Sequence, residues 1–144
     1  MSFMTSCKDN YVSSIPDTSV YLNLNIITDS EYFTFYNAPG SILTFSTDDA
    51  VATRPITWRF GYGGLLLVHT IAGEFHAFDL ACPKEAKRTV VVEADDAMFA
   101  PCHTCGEVYD ISAGIGNPTR GIATENLRRY HTRLTGNYLT VTRN

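Results

Sequence analysis

Cys82-Pro83-Lys84 and Cys102-His103-Thr104-Cys105-Gly106 stand about twenty residues apart, in a chain built of short apolar runs. Phe75 to Leu80 leads into the first box, Met98 to Ala100 into the second, and Val108 to Ile111 leaves it. Runs of this length, bounded by Gly, Pro and acidic clusters, read as strands. Glu93-Ala94-Asp95-Asp96 is such a cluster, set between Thr89 to Val92 and Met98 to Ala100. Both cysteine boxes therefore read as loops between strands.

Outward from the boxes the same grammar continues. Val20, Leu22, Leu24 and Ile26 alternate with Tyr21, Asn23 and Asn25, the period-2 pattern of a half-buried strand. Tyr32 to Tyr36 fits a short strand or a single helical turn, followed by the turn Asn37-Ala38-Pro39-Gly40 and the short run Ile42 to Phe45. Gly61-Tyr62-Gly63-Gly64 precedes Leu65-Leu66-Leu67-Val68-His69. It is not a dinucleotide motif, because Leu66 occupies the third glycine position and no helical pattern follows; it reads as a tight bend. Ala72-Gly73 turns the chain toward Phe75 to Leu80, Gly114 to Gly121 is the longest loop, and Leu127 to Arg133 with Leu139 to Val141 forms a closing hairpin. Turn signals every eight to twelve residues or so imply an all-β fold of short antiparallel strands, a sandwich with the two Cys loops at one tip.

A chain of 144 residues with 44% hydrophobic and 18% charged residues is expected to form one soluble domain. A net charge of −4 and a pI near 5.4 give no reason to expect a nucleic-acid partner. No apolar run reaches the length of a membrane helix. Phe3-Met4-Thr5-Ser6-Cys7 resembles the end of a bacterial lipoprotein signal, in which the Cys is acylated. On that reading residues 1–19 are a lipoprotein-like N-terminus and flexible tether, residues 20–144 are the domain, and the membrane is reached through lipid on Cys7. The location is then the bacterial cell envelope, in the periplasm or at the cell surface. The alternative is a plain disordered N-terminus with a free Cys.

The order of features resembles the Rieske domain family, and more closely its degenerate members among bacterial lipoproteins. The resemblance runs from about Ser41 to Val141: Gly73-Glu74-Phe75-His76-Ala77-Phe78-Asp79 before the first box, then Cys102 to Asp110, the Gly/Pro loop, Leu127-Arg128-Arg129-Tyr130 and the hairpin. In that family two Cys hold one iron of a [2Fe–2S] cluster and two His hold the other. Cys82 and Cys102 match the thiolate positions. Lys84 stands where the first His belongs, and Cys105 where the second belongs. An ammonium has no lone pair to offer a metal.

Three readings of the site follow. One is a [2Fe–2S] cluster on Cys82, Cys102 and Cys105 with a borrowed ligand, His103 or His76. Another is a Cys₃His zinc knot. In the third no metal is bound, and two of the three thiols pair in a disulfide, Cys82 with Cys102 or Cys105, or Cys102 with Cys105 in a vicinal C-x-x-C bridge. His69, His76 and His131 read as strand histidines without ligand spacing, and no spacing supports a catalytic triad or a paired-carboxylate site. The resemblance implies a membrane-anchored electron-transfer domain with a redox partner. The alternative is a cluster-free domain that binds a protein or ligand.

Overall fold

The computed structural model describes residues 13–47, 54–120, 123 and 125–143. Cys7 lies outside the described residues. In chain order the elements are β1 (Val20–Asn25), α1 (Ser30–Asn37), β2 (Ile42–Phe45), β3 (Arg59–Phe60), β4 (Leu65–His69), β5 (Phe75–Asp79), β6 (Phe99–Pro101), β7 (Val108–Asp110), β8 (Asn117–Pro118), β9 (Arg129–Thr135) and β10 (Tyr138–Thr142). A seven-stranded sheet runs in the order β2-β4-β5-β9-β10-β1-β3, and a three-stranded sheet in the order β6-β7-β8; all pairings are antiparallel. The protein is all-β with one short helix, as the turn spacing implies.

The alternation of β1 places Val20, Leu22 and Leu24 inside, opposite Val141 and Leu139 of β10. These residues share one core with Phe45, Trp58, Leu65 and Leu67, so the long sheet folds over and its two ends face each other. The run Leu65 to Val68 does not alternate because β4 is covered on both faces. Leu65 and Leu67 enter that first core; Leu66 and Val68 enter a second, with Phe78, Leu80, Cys82, Cys102, Tyr109 and Ile111. The second core lies between the β4–β5 layer and the small sheet. Both cysteine loops are anchored in it.

Three local expectations are corrected. Tyr32 to Tyr36 lies in a full two-turn helix: Asp29 caps it, its Oδ1 accepting from the N–H groups of Glu31 and Tyr32 at 3.0 and 3.3 Å, and Tyr32 and Phe35 bury the i, i+3 face. Thr89 to Val92 is not a strand. It makes one bridge, Ala81 to Val91, and braces the first Cys loop, with Cys82 N–H on Val90 O at 2.9 Å and Val92 N–H on Leu80 O at 2.8 Å. The Gly/Pro loop contains β8, which pairs Asn117 and Pro118 with Asp110 and Tyr109; Pro118 fits there because the strand is an edge.

Packing continues N-terminal of Val20. Ile15 is buried, and the Glu125 carboxylate accepts from Ser14 Oγ at 2.6 Å and Ser14 N–H at 2.8 Å.

Candidate metal centre

The first cysteine loop is set by a buried carboxylate. At the end of β5, Asp79 is fully enclosed and accepts four hydrogen bonds: from the N–H groups of Tyr62, Gly63 and Ala81 at 2.7, 2.9 and 2.8 Å, and from Tyr130 Oη at 2.7 Å. The bend before β4 is thus tied to the residue range that leads into Cys82. The bend needs glycine at position 61: φ is +72°, and a Cβ would stand 2.8 Å from Asp79 Oδ2 and 3.0 Å from Tyr130 Oη. Burial, together with the charge and hydrogen bond of Asp79, pushes the Tyr130 phenol up, so it remains a donor.

The second loop is tightened by its own turn and by another buried acid. Gly106 N–H donates to Cys102 O at 2.8 Å, and Cys102 N–H to Glu107 O at 2.8 Å. The Glu107 side chain, 1% exposed, accepts from the N–H groups of Val108, Arg120 and Ala123 at 2.9, 2.8 and 3.2 Å. Burial alone would raise this carboxyl; the backbone donors outweigh it and lower it. Glu107 therefore ties the second Cys box to the loop after β8.

The two loops meet sulfur to sulfur. The Sγ atoms of Cys82, Cys102 and Cys105 all lie within 4.8 Å of one another, with Cys82 and Cys105 at 3.7 Å. All three are free thiols; Cys82 and Cys102 are buried, and Cys105 is half-buried. Tyr109 Oη sits 3.5 Å from Cys82 Sγ. Burial opposes the Cys82 thiolate, but hydrogen bonds from Tyr109, the Glu85 backbone and the neighbouring thiols outweigh it and lower the thiol. Cys102 goes the other way: burial first, then its hydrogen bonds to the other thiols, pushes it up to about 11. Burial and the bond to Cys82 raise the Tyr109 phenol as well.

The other candidate ligands lie elsewhere. His103 is 70% exposed and its Nε2 is 2.8 Å from Glu93 Oε1. His76 contacts Glu74 at 3.1 Å, and His69 Nδ1 lies 3.0 Å from Phe35 O. Lys84 and His131 are exposed. Among the described residues no fourth His, Cys, Asp or Glu joins the three thiols. Sequence reasoning singled out the three cysteines and missed Asp79, Glu107 and Tyr109, the residues that hold the loops in place.

The donor set does not fit a two-iron cluster. Such a cluster holds two protein ligands on each iron, with the pairs at opposite ends of the bridging sulfides. Here the described residues bring together only three donors, Cys105 closes directly on Cys82 at 3.7 Å, and Lys84 faces solvent. The Cys82–Cys105 separation of 3.7 Å is that of two ligands on one ion: tetrahedral coordination with Zn–S bonds near 2.3 Å separates sulfurs by about 3.8 Å.

No family model and no curated protein matches this chain. Among solved structures it is similar to the ferredoxin of carbazole 1,9a-dioxygenase from Nocardioides aromaticivorans IC177, at 16% identity over 74% of this chain and 88% of that one, with a TM-score of 0.43. It is also similar to a protein described as an NADH-dependent nitrite reductase small subunit from Mycobacterium tuberculosis, at 15% identity over 88% of this chain and 97% of that one, with a TM-score of 0.45. The chemistry of the site rests on its own atoms.

Proposed function

We propose that this chain is a Rieske-like domain that carries a thiolate metal centre on Cys82, Cys102 and Cys105. The carrying observation is the convergence of three thiols from two loops to within 4.8 Å of one another. Clustered thiolates are the ligand set of thiophilic metals, and burial of two of the three shields the site from competing water. The domain acts as a carrier or binding module rather than an enzyme. A cysteine nucleophile needs a neighbouring base, and the imidazole nearest in sequence, His103, is engaged by Glu93 at the surface.

The sequence resemblance adds a one-electron role wherever the bound metal is redox-active, and the half-exposure of Cys105 favours a partner that approaches from that side. Membrane anchoring through acylated Cys7, in a bacterial cell envelope, belongs to the same proposal. It is supported by Phe3-Met4-Thr5-Ser6-Cys7 and is tested by the intact mass of membrane-extracted protein. No helix among the described residues is long and apolar enough to cross a membrane.

Metal content decides the central point. Protein purified anaerobically, or reloaded separately with zinc, cobalt, or iron plus sulfide, is expected to hold metal that the Cys82→Ser/Cys105→Ser double variant does not. A folded wild-type chain that takes up none of these overturns the proposal.

A further inference from the structure

We infer that the three thiols close on a single zinc-type ion whose fourth coordination position is open to an exchangeable donor. The inference rests on the metal-centre reading above and specifies it. Three observations carry it.

The first is spacing. The 3.7 Å between Cys82 and Cys105 matches two sulfurs on one tetrahedral ion, and Cys102 lies within the same 4.8 Å group. The second is the missing fourth ligand. On the buried side Tyr109 Oη lies 3.5 Å from Cys82 Sγ and is paired with that sulfur. His103 turns away to Glu93, and no other His, Cys, Asp or Glu among the described residues completes the set. The third is asymmetry of burial. Cys82 and Cys102 are enclosed while Cys105 is half-exposed, so the uncovered corner of the site is on the Cys105 side.

Three protein ligands plus one open position is the arrangement of an exchangeable rather than a purely structural zinc site. Charge agrees with it. Three thiolates and one divalent ion leave a single negative charge, which favours a neutral fourth donor such as water or an imidazole. The group that enters this corner is therefore a small soft or borderline donor, either free or presented by a partner's side chain.

The test uses the full chain, stripped of metal anaerobically and loaded with Co²⁺ as a spectroscopic substitute for Zn²⁺. Expected are one Co²⁺ per chain displaced by Zn²⁺, sulfur-to-cobalt charge-transfer bands, and ligand-field bands of tetrahedral intensity that move when imidazole is added. Cys105→Ser, at the least buried position, should lose roughly a third of the charge-transfer intensity, as one thiolate of three is removed. His103→Ala should leave both the spectrum and the imidazole response unchanged. Bands that ignore imidazole, or that collapse in His103→Ala, describe a closed site and overturn the inference. So does uptake of two irons with sulfide in a chain that refuses cobalt, although the metal-centre reading then stands. A folded chain that takes up no metal at all defeats both.

Discussion

Removing the Asp79 carboxylate should be among the most damaging single changes this chain can suffer. In Asp79→Ala four donors lose their acceptor: the N–H groups of Tyr62, Gly63 and Ala81, and Tyr130 Oη. Tyr62 is half-buried, and water can serve its N–H. The other three bonds are buried, and each orphaned buried donor costs about 1–3 kcal/mol. The floor is therefore roughly 3 kcal/mol, against a total stability of about 5–15 kcal/mol for a domain of ordinary size. Asp79→Asn should cost less. Its one remaining oxygen can still serve Gly63 and Ala81, and Tyr130 Oη can turn to accept from the new amide. The Tyr62 N–H is opposed instead, and the loss of charge assistance brings the cost to about 1–3 kcal/mol. Urea unfolding followed by the fluorescence of Trp58, the single Trp and a buried one, measures both. Tyr130→Phe completes a cycle: it should cost about 1.5–3 kcal/mol in the wild type and little once Asp79 is gone. The reasoning fails if Asp79→Ala stays within about 1 kcal/mol of wild type, or if Tyr130→Phe costs the same in both backgrounds.

Glu107 makes the stability of the metal-free protein depend on acid. Its folded-state pKa is lowered, so its contribution is fully present above the ordinary carboxyl range and is lost as pH falls from there through the folded value. Urea midpoints taken from pH 7 down to pH 3 should fall less steeply at the acid end in Glu107→Gln than in wild type; parallel curves would remove Glu107 as the cause. Two glycines separate backbone strain from collision. Gly73 has φ +91° with nothing within 4 Å of an added methyl, whereas at Gly64, φ +111°, that methyl would stand 2.6 Å from Phe45 O and 2.8 Å from Leu80 Cδ1. Gly73→Ala should cost about 1 kcal/mol, and Gly64→Ala a further 1–3 kcal/mol or so from overpacking; equal thermal shifts would show that the collision relaxes freely.

What could be read from the chain divides along physical lines. β1 was legible because one face is buried and the other wet, so apolarity alternates; β4 was legible as an unbroken apolar run, although only the structure shows that two cores demand it. The helix was obscured because Tyr32 to Tyr36 is aromatic and suits strands, while its decisive signal, the Asp29 cap, lies outside that run. β8 was hidden by composition, since Asn-Pro signals a loop unless an edge strand happens to need pairing on one side only. Asp79 and Glu107 carry no distinguishing signal in the sequence, because burial of a carboxylate depends on donors that arrive from elsewhere in the chain: the Gly61–Gly63 bend for one, the loop after β8 for the other.

The thiol group shows most sharply where adjacency in sequence misleads. His103 lies between two cysteines and invites ligation, yet direction decides. The turn closed by Gly106 N–H on Cys102 O sets Cys102 and Cys105 on the side that faces Cys82 and sends His103 outward to Glu93. The approach of Cys105 Sγ to within 3.7 Å of Cys82 Sγ, across 23 residues of chain, is therefore a product of that turn and not of adjacency in sequence.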